Sequence, residues 1–203
     1  MDSSNGADAD PYLTAGLAEF LDQLAARTPA PGGGAAAAVT CAMAAGLVEM
    51  AAAFDQGSRL DEVGARAHEL RGQVAALAAA DGRAYGLVLE ALRIPTGPER
   101  TLRLDAAVAG AIECPMLVLE IAAEVATLAA DLAERGNRNL EGDALTGALL
   151  AEASARSAAT LAQLNVSMLS RHATADAHLE RLRPGLAAAT RARERAVEAY
   201  THT

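Results

Sequence analysis

The chain has no tryptophan and no lysine, and only two phenylalanines, three tyrosines and two cysteines among 203 residues. Aromatics at 2 % argue against a sheet core, which draws on aromatic and β-branched side chains. Without lysine there is no lysine amine for Schiff-base chemistry and no Walker-type phosphate loop. Cys41 and Cys114 show no ligand spacing with each other or with histidine, so no metal motif is expected. Free thiols of this kind suit a reducing, cytoplasmic setting, where they act as small hydrophobes. Residues 1–10 lack a positive start followed by an apolar run, so they do not read as a signal peptide. The apolar stretch 35–54 contains Glu49 and is rich in Ala and Gly, which suits a buried core helix better than a membrane span. Basic residues are outnumbered, and a net charge of -9 repels phosphate backbones. Neither nucleic acid nor membrane is expected as a partner.

What the chain does have is alanine, leucine and valine at helical spacing; apolar residues make up 52 %. Residues 1–9 read as a disordered tail and 10–203 as one helical domain. Asp10 caps a first helix over 11–27, with Pro11 at its first position. Thr28-Pro29-Ala30-Pro31 stops it. Gly32-Gly33-Gly34 opens a second helix ending near Phe54, followed by a turn at 55–58. A third helix spans 61–93, with Leu70, Val74, Leu77, Val88 and Leu92 in phase. A fourth spans 99–135, and Pro115 is expected to kink or split it. Gly136-Asn137 is expected to form a left-handed C-cap. A fifth helix covers 142–171 and a sixth 174–200, with an interruption at Pro184. No segment alternates as a strand would. The fold class is all-α: a bundle of about six helices, several of them long and antiparallel.

Asp81 is the first candidate for chemistry. It falls in phase with Leu70, Val74, Leu77 and Val88, on the face expected to be buried. A carboxylate there is costly unless paired, and burial would poise it as a general acid or base. A solvated helix-edge Asp, or one bonded to a buried Arg, fits the same spacing. The glycines Gly32, Gly33 and Gly34 would expose backbone N–H groups at a positive helix end; a plain inter-helix turn also fits. Asp143 sits where a first-turn acid belongs. Arg156 falls near the phase of Leu145 and Leu149 and either reaches an anionic ligand or snorkels to solvent. Asn165 lies one turn before Met168 and suits a buried hydrogen bond. His68, His172, His178 and His202 form no pair with catalytic or ligand spacing.

Several segments together resemble the cyclodeaminase/cyclohydrolase family, comprising the C-terminal domain of formiminotransferase-cyclodeaminase and stand-alone methenyltetrahydrofolate cyclohydrolases. They are Phe20-Leu21-Asp22-Gln23-Leu24-Ala25 with Thr28-Pro29-Ala30-Pro31-Gly32-Gly33-Gly34, and Asp81-Gly82-Arg83-Ala84-Tyr85 with its exit at Ile94-Pro95. Pro115, Gly136-Asn137-x-Asn139 with Asp143, and Asn165 continue the set. The matches run in order over roughly residues 15–170. The resemblance implies an all-helical homodimer whose folate pocket is lined by the glycine turn and the Asp81 helix. It implies Asp81 as the catalytic residue, and Pro31, Gly32, Gly33, Gly34, Tyr85, Asp143 and Asn165 as substrate-binding, with Arg156 a further candidate for an anionic tail. The substrate would be a tetrahydrofolate derivative, with no metal or other cofactor. Four positions depart from the family pattern: Ala35 and Gly142 stand for Ser, Leu161 for Asn and Thr96 for Lys.

The expected reaction is that of a 5,10-methenyltetrahydrofolate cyclohydrolase or a 5-formiminotetrahydrofolate cyclodeaminase. Both pass through a tetrahedral carbon between nitrogens and need one carboxyl to move a proton. Two other classes fit the residues. One is a family member repurposed to cyclise or hydrolyse another amidine or iminium, which the lost polar groups would suit. The other is a non-catalytic helical binding protein, in which Asp81 would be fully paired and the pocket filled.

Overall fold

The computed structural model describes residues 11–54, 58–169 and 172–201. The tail 1–9, the Asp10 cap, positions 55–57 of the expected turn, the helix end at Arg171 and His202 lie outside the described residues. Among the described residues there are seven α-helices and no strand. They are α1 (Pro11–Thr14), α2 (Leu17–Ala25), α3 (Gly33–Ala53), α4 (Ser58–Leu92), α5 (Pro98–Arg135), α6 (Glu141–Val166) and α7 (His172–Thr201), with a 3-10 turn, Arg138–Leu140, before α6.

The expected first helix is two pieces. Gly16 has extended backbone angles and starts α2, so the chain turns between them. Tyr12 of α1 then meets the buried Phe20 of α2 edge-on, with ring centroids 5.9 Å apart. α5 runs unbroken through Pro115, and α7 through Pro184; neither proline splits its helix. Gly136 is extended, not left-handed. The last turn of α5 is closed instead by its N–H donating to the Leu132 carbonyl at 2.7 Å.

Short connections make successive long helices antiparallel neighbours. Arg66 of α4 and Glu124 of α5, equidistant in sequence from residue 95, meet at 2.7 Å. α3 is the central helix, packing against α4, α5 and α6, and α7 closes the far side on α5 and α6. α3 and α5 are each long and apolar enough to cross a membrane. Both are core elements here, and α5 also carries Glu113, Glu120 and Glu124. The buried residues are mostly alanine, so helix axes approach closely. At Gly147 of α6 an added methyl would just come into van der Waals contact with the Ala44 carbonyl and Val48 of α3, 3.5 Å from each. Two turns further along α6, buried Ser154 donates to the Ala37 carbonyl at 2.8 Å. Burial pushes the neighbouring Cys41 thiol up to about 12, against the opposing pull of its hydrogen bond with Ser154. Cys41 is therefore an inert core residue.

One buried acid fastens α6 to α7. Glu152 accepts hydrogen bonds from Arg156 at 2.9 Å and from Arg193 at 3.1 Å. Burial works to raise its carboxyl, but the two arginines outweigh it and hold it below the usual range. A lowered folded-state value adds stability above the unfolded-state value, and that stability disappears as pH falls through the lowered one. Glu152→Gln should therefore lower the melting temperature by about 2–8 °C near neutral pH, taking a charged hydrogen-bond network at about 1–2 kcal/mol. Melting curves should show the difference shrinking in acid; a pH-independent gap would contradict the assignment.

Candidate active site

The site is built where α3 begins. Gly32 is the N-cap, and the first helical bond runs from the Ala36 N–H to the Gly32 carbonyl at 3.0 Å. The N–H groups of Gly33, Gly34 and Ala35 precede that bond and form the positive end of a 21-residue helix. Pro29, Ala30 and Pro31 lead into it, with a cis Ala30–Pro31 peptide. α4 crosses this end and sets Asp81 against Gly34. A methyl group at Gly34 would overlap the Asp81 carboxyl, so only glycine lets that carboxyl keep its present place. The residue after Asp81 is Gly82, where an added methyl would crowd Ala30 and the Tyr12 hydroxyl. Small residues thus let the Pro-Gly turn and α1 close down on α4.

Asp81 is half-buried, and burial pushes its carboxyl above the usual aspartate range. Among the described residues it has no hydrogen-bond or ion-pair partner. An acid kept in this way is available to exchange a proton with whatever binds beside it.

It faces a cavity of about 380 Å³, within the range of small-molecule pockets. One wall is the Pro29–Gly34 turn with Asp81, Gly82 and Tyr85; the other is Ala111 of α5 and Leu161, Leu164, Asn165 and Met168 at the end of α6. A narrow recess behind Asp81, between Cys114, Pro115, Val118 and Leu161, has no room for a water molecule. Water therefore reaches the acid from the cavity side. No group of three or more metal-ligating side chains occurs among the described residues.

The sequence candidates divide cleanly. Gly32, Gly33, Gly34, Asp81, Tyr85 and Asn165 line this one cavity. Pro31 is buried behind the turn and does not line it. Asp143 does not belong here. It sits in the first turn of α6, about 27 Å along the helix from Leu161 at 1.5 Å per residue, and it complements the helix dipole there. Arg156 does not belong either: it is 56 % exposed and committed to Glu152 and to Thr190 of α7. Of the four departures from the family pattern, only Leu161 lines the cavity. Ala35 is fully buried, Thr96 accepts from Arg100 on the surface, and Gly142 is exposed. The apolar wall of Leu161, Leu164 and Met168 was missed as a group. Residues 161, 165 and 168 lie at helical spacing on one face, which was the available signal. Ala111 had none.

A sequence profile described as formiminotransferase-cyclodeaminase matches residues 16–183. The chain belongs to the formiminotransferase-cyclodeaminase family. A methenyltetrahydrofolate cyclohydrolase from Methylorubrum extorquens is 33 % identical over 192 residues, covering 88 % of this chain and 92 % of that protein. The formimidoyltransferase-cyclodeaminase of Rattus norvegicus is 32 % identical over 138 residues, 62 % of this chain but 26 % of the rat protein. Among solved structures, the formiminotetrahydrofolate cyclodeaminase of Thermotoga maritima superposes with a TM-score of 0.86 at 29 % identity, covering 92 % of this chain and 96 % of that one. Family membership accounts for the all-helical fold.

Proposed function

We propose that this family member breaks or makes a C–N bond at the one-carbon bridge of a tetrahydrofolate, with Asp81 as the catalytic acid–base. One observation carries the reading: Asp81 is a half-buried carboxyl without a partner, at the wall of a 380 Å³ cavity. An unpaired buried acid is costly to fold, and its cost is explained if a ligand supplies the partner.

The match to a cyclohydrolase, which spans most of both chains, favours the hydrolytic direction. Water adds to the methenyl carbon from the open side of the cavity and gives its proton to Asp81. The C–N bond then breaks as Asp81 returns that proton to the departing nitrogen and the hydroxyl proton is lost to water, leaving a formyl group on the other nitrogen. The second reading, favoured by the Thermotoga structure, is cyclodeamination. There N10 attacks the carbon of the protonated formimino group, Asp81 takes the N10 proton and passes it to the resulting amino nitrogen, and ammonia leaves as the C–N bond breaks, which gives the methenyl cation. Either route is proton transfer between nitrogen, oxygen and a carboxyl, which calls for no cofactor. The glycine N–H groups suit an electron-rich edge or a carboxylate of the substrate, and Tyr85 suits its flat ring.

The reading extends to a homodimer, which light scattering would count, and to a reducing cytoplasmic compartment, which suits the free thiols of Cys41 and Cys114. The deciding assay supplies the purified protein with 5,10-methenyl- and 5-formiminotetrahydrofolate and follows the methenyl absorbance. Loss of absorbance faster than the buffer rate supports the cyclohydrolase; growth of absorbance with ammonia release supports the cyclodeaminase. No change with either folate overturns both and favours a repurposed site.

A further inference from the structure

We infer that Pro115 and Asn165 form one positioning unit, which holds Asn165 as a hydrogen-bond acceptor facing the cavity. The observation begins with what Pro115 lacks. It has no N–H, so the helical bond to the carbonyl four residues back, Ala111, cannot form. Ala111 is buried, and a buried carbonyl left unpaired is costly. Yet α5 is continuous from Pro98 to Arg135. The missing donor comes from another helix: Asn165 Nδ2 of α6 donates to the Ala111 carbonyl at 2.8 Å. A side-chain amide here does what a backbone N–H would do.

That demand also orients the amide. A carbonyl accepts only from the NH₂ end, so Asn165 Oδ1 must turn away from Ala111. Ala111 and Asn165 both line the 380 Å³ cavity, and Oδ1 has no partner among the described residues. Its neighbours Leu161, Leu164 and Met168 bring no N–H or O–H group to this wall. The site therefore offers a fixed acceptor opposite the glycine turn, and it takes a ligand edge bearing an N–H donor. The amino-pyrimidine edge of a reduced folate has that chemistry; this identification of the ligand rests on the proposed function, whereas the Pro115–Asn165 unit does not. Pro115 itself lines only the sealed recess, so it acts on the ligand through Asn165.

The test is a double-mutant cycle of Pro115→Ala, Asn165→Ala and both, read in two ways. In melting curves, Asn165→Ala should lose about 2–6 °C in the wild-type background. With Ala at 115 a backbone N–H can serve Ala111, and the same substitution should lose less than half as much. Equal losses in both backgrounds overturn the unit. In turnover of 5,10-methenyltetrahydrofolate, Asn165→Ala should raise KM about 3- to 10-fold, with kcat much less affected. Pro115→Ala should move KM in the same direction, and the double variant should be no worse than the poorer single. A wild-type KM in Pro115→Ala, or additive losses, overturns the positioning role. If Pro115→Ala does not fold, Pro115→Ser restores the same N–H. An inert wild-type enzyme would defeat the proposed function and the ligand assignment, while the melting cycle, which needs no ligand, would still decide the unit.

Discussion

Asp81→Asn is expected to lower kcat on the folate substrate by at least about 100-fold and as much as about 10⁴-fold, the range for loss of a general acid–base. The substitution keeps the side chain's shape and removes only its capacity to take and return a proton. Its effect on folding should run the other way. Burial raises the carboxyl of Asp81, so between the unfolded-state and folded-state values the native protein binds more protons than the unfolded chain. Stability therefore falls as pH rises from the ordinary aspartate value through the raised one, and stays lower above it. Asparagine, neutral throughout, escapes that loss. The variant should melt at or above the wild-type temperature at pH 7–8, with the advantage fading toward pH 4. The limb of the kcat/KM profile due to Asp81 should also disappear. A folded variant within threefold of wild-type turnover would remove Asp81 from the mechanism.

Gly34→Ala should show the same split by geometry. The added methyl would occupy the space of the Asp81 carboxyl, and that side chain must swing to another rotamer. Displacing a reacting group by about 1 Å costs on the order of 100-fold in rate. In folding free energy, crowding costs about 1–3 kcal/mol, partly offset by about 0.5–1 kcal/mol from replacing a helical glycine. Turnover should thus fall about 100-fold while the melting temperature drops by no more than about 8 °C. Gly33→Ala is the comparison within the same turn: a side chain there meets only Leu161 at ordinary contact distance, so its effect should fall on KM, through the cavity that Gly33 lines, with kcat retained. Equal kinetic losses in the two variants would mean that the turn is merely fragile and that Gly34 has no special relation to Asp81.

Arg156 shows why some site candidates could not be assigned in advance. Its helical phase was compatible with reaching inward, but its partners lie four residues back on α6, at Glu152, and on α7, at Thr190. Glu152 also holds Arg193. Ion pairing across two helices decides the direction of a long side chain, and nothing within one turn of Arg156 announces the second helix. Pro115 is the converse case. Proline in a helix interior predicts a break, and the local rule is sound. It is overridden by a donor 50 residues later in the chain, whose matching need appears only when α5 and α6 are packed.

The all-helical class, the long elements and the placement of Asp81 on an inward face were determined by the sequence alone. Those properties follow from neighbours three and four residues apart and from the small volume of alanine. Tertiary structure decided that Asp81 would meet Gly34 without a neutralising partner, that Asn165 would serve the carbonyl orphaned by Pro115, and that Asp143 and Arg156 would lie elsewhere. The reason is reach: periodicity says which side of a helix turns inward, but the identity of the group across from it depends on how separate helices dock.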